Sequence, residues 1–347
     1  MSSASDDDRS PAASGRVTVT DIAAVAGVSV MTVSRALSGK GYVANIGAKA
    51  MKGGRTGVLG LLVSDFQSPV VAAIIGATSR IVKQAGLDLI LYDITPVAGK
   101  TRPDIGTMFS TLCDGLLLVL PGQHAEQLDQ FLHLSLPVVL VNYWRGPTPL
   151  PVVRADNYEG AYGMTEHLLG LGHRRIAFVR GTVYSGQSAE RERGYLAALA
   201  AAGVAPDPTL IVDGEFSQRS GFEQGQVLLD RADRPTAVFC ANDLMAQGLM
   251  DAARARGLEV PAQLSIAGFD DIPAAAQCHP ALTTVRQDYE QLGENAVRLL
   301  LQHIEHGSQR GMRIELQSHL VVRDSTAPPQ ASQHTPAPRA TAARKRS

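Results

Sequence analysis

The sequence predicts a two-lobed α/β core, with parallel sheets flanked by helices, preceded by a small all-helical head. Two observations support this prediction. From residue 58 onward, short apolar runs alternate with helical stretches, and the series occurs twice in succession. Strands that alternate with helices form parallel sheets covered on both faces, so each series corresponds to one lobe. The second observation is a basic segment of different character ahead of the core.

The composition excludes several classes of protein. The chain has 347 residues, 45% of them hydrophobic and 19% charged, as expected for two or three domains. It has no run of about eighteen apolar residues and no basic, apolar start, so we expect neither a transmembrane helix nor a secretory signal. Three cysteines without CxxC spacing favour a reducing, cytoplasmic location over a disulfide scaffold or a zinc site.

The chain is divided by composition into five parts. Residues 1–16 and 326–347 are rich in small and polar residues, which is typical of disordered segments. Between them we place a head over 17–44, a hinge segment over 45–57 and a core over 58–325.

Eight apolar runs in the core have the length of strands buried on both faces. They are Val58–Val63, Leu87–Tyr92, Leu116–Leu120, Val138–Val141, Ile176–Val179, Leu210–Val212, Ala237–Cys240 and Ser265–Phe269. The helices predicted between them include Val70–Ala85, Ala189–Ala202 and Leu244–Arg256. The two lobes are assigned as 58–155 with 286–312, and 156–285 with 313–325.

Polar side chains follow four of these strands, at the sheet edge where α/β proteins bind ligands. They are Asp65, Asn142, Asn242 and Asp270. Carboxylates and amides suit hydroxyl-rich ligands. The alternative for each residue is a cap of the next helix. Their recurrence at four strand ends favours a binding crevice.

The segment before the core is locally basic. Between Arg16 and Thr56 it contains six basic residues and one acid, although the whole chain has a net charge of −1. Such a concentration of positive charge suits contact with phosphate. The alternative is a solvated linker with a chance run of Lys and Arg.

Two short helices, Asp21–Ala26 and Val30–Leu37, are predicted in this segment, joined by a turn that contains glycine. This is the pattern of a helix-turn-helix, which lays its second helix in the major groove. Val30 and Met31 would then lie at base edges, with Arg35 able to reach guanine or phosphate. Phosphate contacts are expected from Ser29, Thr32 and Ser34. Thr20, the predicted N-cap of the first helix, is included among the DNA-binding residues. The alternative is a generic helical hairpin.

Longer motifs identify a family. The head and hinge motifs are VTVTDIAAVAGVSVMTVSRALSG and GYVANIGAKAMKGGRTGVLGLLVSDF, and the core motifs, in order, are HLLGLGHRRIAFV, DRPTAVFCANDLMAQG, LSIAGFDDIP, HPALTTVRQ and LVVRDST. Over about residues 17–326 the chain resembles the lactose-repressor and galactose-repressor family of bacterial transcription regulators. The resemblance implies a homodimer or a dimer of dimers on a palindromic operator. It also implies a periplasmic-binding-protein-like core with a small, sugar-like effector between its lobes. Because no leucine heptad ends the chain, we expect the dimer.

The resemblance also implies roles for core residues. Arg191 matches the effector-contacting arginine of the family, while Asn242 and Asp270 match hydroxyl-binding positions. Phe216 falls where many members place an aromatic ring against the ligand. Val70 lies after the first strand, where the family usually has bulky aromatics. The alternative for Arg191 and the acids is a salt bridge between the lobes.

The hinge resembles the family segment that becomes helical on DNA and enters the minor groove. Met51 takes the position of an apolar wedge, usually leucine, that unstacks a base step and bends the duplex. We include Asn45 and Lys49 among the hinge contacts. The alternative is a plain flexible linker.

The head departs from the family in one respect. The family normally has a third helix between the two head motifs, whereas here residues 39–41 join them directly. Roughly twenty residues, enough for a helix and its turns, are absent. Because two-turn helices are marginal alone, we predict a poorly ordered head and weakened operator affinity. An effector-binding relative with impaired DNA binding is therefore the alternative function.

Other functions find little support in the sequence. The chain has no GxSxG, HExxH or Walker motif and no paired metal-ligand histidines, so we expect neither an enzyme nor a cofactor. A transport binding protein would share the two-lobed core but would need export.

Overall fold

The computed structural model describes residues 55–95, 105–119, 128–144, 146–307 and 309–330. The predicted head and nearly all of the hinge therefore lie outside the described residues. The same holds for every predicted DNA contact: Thr20, Ser29, Val30, Met31, Thr32, Ser34, Arg35, Asn45, Lys49 and Met51.

The first lobe is built on a six-stranded parallel sheet. In chain order its elements are β1 (Val58–Val63), α1 (Pro69–Gln84), β2 (Asp88–Asp93), α2 (Ile105–Leu112), β3 (Gly115–Val119), α3 (Asp129–Leu132), β4 (Val138–Val141), β5 (Val152–Ala155), and, much later, α9 (Tyr289–His306) and β11 (Arg313–Leu316). The strand order is β11-β5-β4-β3-β1-β2. Helices α1 and α9 pack together on one face, where their apolar stripes meet the sheet.

The second lobe is built on a four-stranded parallel sheet, ordered β7-β6-β8-β9. Its elements are α4 (Asn157–Gly170), β6 (Ile176–Arg180), α5 (Gly186–Ala201), β7 (Ile211–Asp213), α6 (Gln218–Leu229), β8 (Ala237–Cys240), α7 (Asp243–Ala255), β9 (Ser265–Ala267) and α8 (Pro273–Gln277). A separate antiparallel pair, β10 (Thr284–Arg286) and β12 (His319–Val321), adjoins it. The predicted architecture of two parallel-sheet lobes is confirmed.

The position of a strand in its sheet determines its burial. Every residue of β1, β3, β4 and β8 is buried, as predicted for strands with a neighbour on each side. The prediction is wrong for β2, since Leu91 is 44% exposed. This strand pairs with β1 alone and lies at the sheet edge. A short apolar run does not reveal whether its strand is central or at an edge.

The chain crosses between the lobes three times, after β5, after β10 and after β11. Arg313 pairs with Val152 of β5, so β11 belongs to the first sheet. The assignment of 313–325 to the second lobe is therefore wrong for residues 313–316. The four residues RIEL of β11 are too few to predict the strand from the sequence or to select its sheet.

The predicted disordered tail also begins too early. His173 is buried, and its Nε2 atom lies 2.9 Å from the carbonyl oxygen of Ala327. Because that oxygen can only accept, Nε2 carries the proton, and Nδ1, 2.9 Å from the Thr236 hydroxyl, is free to accept. The Ala327 amide in turn donates to the Ser265 hydroxyl at 3.0 Å. These bonds fasten the chain beyond residue 326 to the second lobe.

This fastening predicts a loss of stability in acid. Burial lowers the pKa of His173; the hydrogen bond to the Ala327 carbonyl partly offsets that effect, and the neighbouring charge of His167 adds to the lowering. A histidine with a lowered folded pKa stabilises the fold above its unfolded pKa of about 6.5, and that stability is lost as the pH falls below this value. We expect urea unfolding at pH 5.5 to show lower stability than at pH 7.5, with a smaller difference in His173→Gln. An equal difference in both proteins would contradict this account.

Candidate binding site between the lobes

A cavity of about 790 Å³ lies between the lobes, at the carboxyl ends of strands from both sheets. Parallel sheets bind ligands at this edge because their strand ends and helix starts converge there. The structure brings all of the sequence-predicted effector residues to this cavity: Asp65, Val70, Asn142, Arg191, Phe216, Asn242 and Asp270.

Arg191 and Asp270 form a buried ion pair in the wall of the cavity, with 3.1 Å between Nη2 and Oδ1. The Arg191 Nε donates to Asn157 Oδ1 at 2.7 Å, and Nη1 donates to the Ala241 carbonyl. The guanidinium also lies 3.8 Å from the ring centroid of Phe269. All of these groups belong to the second lobe, so the alternative of an Arg191 salt bridge between the lobes is wrong.

Two carboxylates share this buried region. Burial raises the pKa of Asp270, and the Arg191 charge and a 2.8 Å hydrogen bond from Gln287 partly offset that effect. Burial also raises the pKa of Asp243 well above its ordinary value, and the Asp270 charge adds to the rise. Asp243 accepts from the Thr284 hydroxyl and from the Ile272 amide. The described part of the wall is therefore a hydrogen-bonded network in which the charge of Arg191 is already paired.

Two buried polar atoms in the cavity wall lack a hydrogen-bond partner, Ser64 Oγ and Asn142 Oδ1. Ser64 is 7% exposed and Asn142 is 4% exposed. Asn142 has a φ of 56°, a left-handed conformation that asparagine tolerates well, and it caps no helix. Leaving such an atom unsatisfied costs about 1–3 kcal/mol, so both atoms are available to a ligand.

Ser64 lines the cavity and directly follows β1, but the sequence prediction did not include it among the effector-binding residues. The prediction chose its neighbour Asp65, which is exposed at the mouth and accepts from the amide of Gln67 at 2.8 Å. Carboxylates are readily selected as candidate site residues from a sequence because they are rarely buried. The signal for Ser64 was its place as the first polar residue after a fully buried strand.

Asn242 caps the start of α7, which is the alternative given above for a polar residue that follows a strand. Its Oδ1 accepts from the Met245 amide at 2.9 Å at the start of α7, and its Nδ2 donates to the Phe216 carbonyl at 3.0 Å. Phe216 has a φ of 58°, and its ring covers Gly181 so closely that no side chain fits there. Asn242 thus holds the aromatic residue in place, with both ends of its amide already engaged.

Three contacts join the lobes beside the cavity. Gln187 Nε2, near the start of α5, donates to the Asn142 carbonyl across the gap at 3.0 Å. Val70, on α1, packs against the hydrophobic cores of both lobes. Gly186 lies against Trp144, where a Cβ atom would come 2.5 Å from the Trp144 carbonyl oxygen. The first turn of α5 therefore contacts the first lobe directly, and these contacts depend on the distance between the lobes.

Gly186→Ala should hold the lobes further apart. Overpacking of this kind costs about 1–3 kcal/mol, which is roughly 5- to 150-fold in an equilibrium. We expect weaker effector binding by a factor in this range. Trp144 is the only tryptophan of the chain, so its emission should shift to the red as the gap opens. Gly163→Ala is the matched control, since nothing lies within 4 Å of a Cβ at that position on α4. Identical emission and affinity in both variants would refute the close-contact explanation.

Comparisons with known proteins agree with this architecture. Residues 18–49 match the family model described as bacterial regulatory proteins, lacI family, and residues 165–326 match a periplasmic binding protein-like domain. The HTH-type transcriptional repressor PurR of Erwinia tasmaniensis is 32% identical, covering 89% of this chain and 97% of its own. The ribose operon repressor of Haemophilus influenzae is 31% identical, covering 89% of this chain and 98% of its own.

Solved structures show the same similarity. A complex of the transcriptional regulator CelR with cellobiose has a TM-score of 0.71 and 32% identity, covering 89% of this chain and 100% of the other. A LacI family regulator of Enterococcus faecium with bound ribose has a TM-score of 0.69 and 26% identity, covering 78% of this chain and 99% of the other. None of the described helices combines the length and hydropathy needed to span a bilayer.

Proposed function

Because the chain belongs to the lacI family of bacterial regulatory proteins, we propose that a neutral, polyhydroxylated effector such as a sugar binds between its lobes and controls its operator affinity. The protein is a DNA-binding transcriptional regulator with a small-molecule effector, and its relatives are repressors. Operator DNA lies in the bacterial cytoplasm, so the protein acts there.

The charge of the cavity favours a neutral effector. Among the described lining residues the only cation is Arg191, and Asp270 already pairs with it. Asp65, Asp93 and Glu215 surround the mouth with negative charge. A sugar phosphate or sugar acid would meet like charges there, and unfavourable juxtaposition of this kind reduces affinity.

The unpartnered atoms Ser64 Oγ and Asn142 Oδ1 are the observation that supports a hydroxyl-bearing effector most directly. Asn142 Oδ1 can only accept, while Ser64 Oγ can donate or accept. A hydroxyl group satisfies both requirements, whereas an apolar ligand would leave both atoms unsatisfied. The carbohydrates named with two of the similar solved structures are of this chemical class.

Ser64→Ala tests this assignment. The substitution should reduce effector affinity about tenfold, because it removes a ligand hydrogen bond of roughly 1–1.5 kcal/mol, but it should not destabilise the free protein. Thr78→Val is the matched control, because Thr78 Oγ1 is also buried and unpartnered but lies on α1 outside the cavity lining. Calorimetric titration with a sugar panel, together with urea unfolding, measures both effects. Equal affinity in the two variants would exclude Ser64 from the binding site.

We further propose that the protein acts as a homodimer on a palindromic operator. A two-fold symmetric duplex presents two equivalent half-sites, and a two-fold protein dimer matches them. An effector that contacts both lobes changes their relative position, which alters the placement of the two heads.

Fluorescence anisotropy with palindromic duplexes drawn from a random-sequence selection tests this regulation. Operator binding should weaken with salt, as phosphate contacts require, and should change on addition of the effector. Arg35→Ala should reduce operator affinity without affecting effector binding. A chain that selects no duplex, with or without sugar, would reject operator regulation and leave a sugar-binding relative.

That second candidate has a specific observation in its favour. The alignment with the Erwinia tasmaniensis repressor is 331 positions long, whereas 89% of this 347-residue chain is only about 309 residues. The relative therefore contains residues without a counterpart here, as expected if the third head helix is absent.

A further inference from the structure

A second cavity, of about 760 Å³, lies in the first lobe at the opposite edge of its sheet from the cavity between the lobes. Among its lining residues, Pro137 directly precedes β4 and Pro151 directly precedes β5, so this cavity lies at the amino ends of the strands. His303, in the last turn of α9, and Arg310, in the loop that follows, form another wall. The two cavities share no lining residue among those that the structure describes.

The floor of the second cavity is apolar. Phe131 and Val138 are buried members of a hydrophobic core of the first lobe, and Leu134, Leu136 and Leu150 pack against that core but remain half-buried. Contiguous apolar surface that stays in contact with water typically marks a binding site. Sites for small ligands have volumes of roughly 300–1,000 Å³ and mainly apolar linings. The second cavity therefore suits the apolar part of a small molecule.

The backbone at the strand starts is already engaged. The carbonyl oxygens of Pro137, Pro149 and Pro151 each accept a backbone amide at 2.8 or 2.9 Å. The Leu150 carbonyl accepts from Arg313 Nη1 at 2.8 Å. Proline has no amide hydrogen to donate. These positions therefore offer a ligand neither an amide hydrogen nor a carbonyl oxygen without a partner, which disfavours a sugar or a metal cation there.

The polar groups that remain without a partner can donate hydrogen bonds. His303 Nδ1 is buried and has no hydrogen-bond partner. Burial lowers the pKa of His303, and the charge of Arg310 lowers it further, so the ring is neutral at neutral pH and retains one N–H group. Arg310 is exposed and forms no ion pair with an acid in the described part of the chain.

The charge of the second cavity differs from that of the cavity between the lobes. No aspartate or glutamate occurs among its described lining residues, whereas Arg310 contributes a positive charge. The cavity between the lobes is instead lined by acids whose negative charge exceeds that of its one described cation. An anionic ligand is therefore favoured at the second cavity and disfavoured at the first.

We propose that the second cavity binds a small carboxylic acid with an apolar body, such as an aryl or branched aliphatic acid. Its apolar body would lie over Leu134, Leu136 and Leu150, and its carboxylate would accept from Arg310 and His303. Arginine can bind a carboxylate through two parallel hydrogen bonds, and such charge-assisted bonds are stronger than neutral ones. The inference goes beyond the proposed function, since it does not require a sugar between the lobes.

Calorimetric titration of the full chain with matched ligands tests the proposal. Phenylacetate and isovalerate are each compared with the corresponding amide, which keeps the shape of the acid and lacks its charge. We expect each acid to bind about tenfold more tightly than its amide. Acetate, which has the charge without the apolar body, should bind at least about tenfold more weakly than phenylacetate.

Arg310→Gln should remove the preference for the acid over the amide. Arg298→Gln is the matched control, because Arg298 is exposed on α9, pairs with Glu294 and does not line the second cavity. His303→Phe keeps a ring of similar shape without Nδ1 and should weaken the binding of phenylacetate. Urea unfolding verifies that each variant is folded, and the exposed position of Arg310 makes its variant decisive if His303→Phe is unstable.

Ser64→Ala distinguishes the two cavities, since Ser64 lines only the one between the lobes, and phenylacetate affinity should not change in this variant. Equal binding of acid and amide, an unchanged preference in Arg310→Gln, or weaker phenylacetate binding in Ser64→Ala would each overturn the proposal. The same holds if none of the acids binds. Those results leave the sugar-effector proposal intact, and a failure of every sugar to bind would reject only that proposal.

Discussion

Arg191→Met should lower the free energy of unfolding of the core by about 3–5 kcal/mol, because removing one partner of a buried ion pair leaves the other charge without compensation. Asp270 is only 5% exposed and would lose Arg191, the only cation among the described lining residues. Asn157 and the Ala241 carbonyl would lose their donors at the same time. We expect a clear decrease in the urea midpoint at neutral pH.

Arg193→Met is the matched control on the same helix. Arg193 pairs with Glu190 in an exposed position, and such pairs contribute about 0–1 kcal/mol. The double variant Arg191→Met with Asp270→Asn should recover part of the lost stability, since it removes the uncompensated charge. Equal losses in Arg191→Met and Arg193→Met would show that the buried pair has no special energetic role.

Restoring a third head helix should raise operator affinity at least tenfold. The insertion replaces residues 39–41 with the corresponding segment of a repressor relative. The two head helices that the sequence predicts have about two turns each, so their stability would be marginal, and a third helix would bury their shared apolar side. An ordered head binds DNA without first losing conformational entropy, and that gain appears directly in the dissociation constant. Anisotropy titration of the selected duplex measures the change.

A Gly/Ser insertion of the same length is the control, because it supplies chain length without an apolar face. Effector affinity should stay the same in both insertions, since the cavity is built from the core alone. Unchanged operator affinity in the helix insertion would show that the short head binds DNA as well as a complete one.

Much of the core was predictable from local sequence. The bounds of β1, β4 and β8 coincide with their apolar runs, because a strand that is buried on both faces has an uninterrupted apolar sequence. The strands β5, β10, β11 and β12 were not predicted. They have three or four residues each, and β11 and β12 are partly exposed, so their sequences carry little periodic signal.

The candidate site divides in the same way. Residue type and position after a strand brought Asn142 and Asp270 into consideration, and the family resemblance brought Arg191. The sequence did not indicate that Arg191 and Asp270 pair within one lobe, or that Asn242 is occupied as a cap. It also gave no reason to prefer Ser64 over Asp65.

The sequence by itself determined the class of fold, the order of the strands marked by apolar runs and of the main helices between them, and the family, because each depends on local patterns of polarity and on motifs read in order. The tertiary structure alone decided which sheet receives β11, which polar atoms remain unpartnered and which side chains line the two cavities. Those properties depend on contacts between residues far apart in the chain. The free energies of these contacts depend on the folded protein, because only folding removes water from some of the groups and leaves others hydrated.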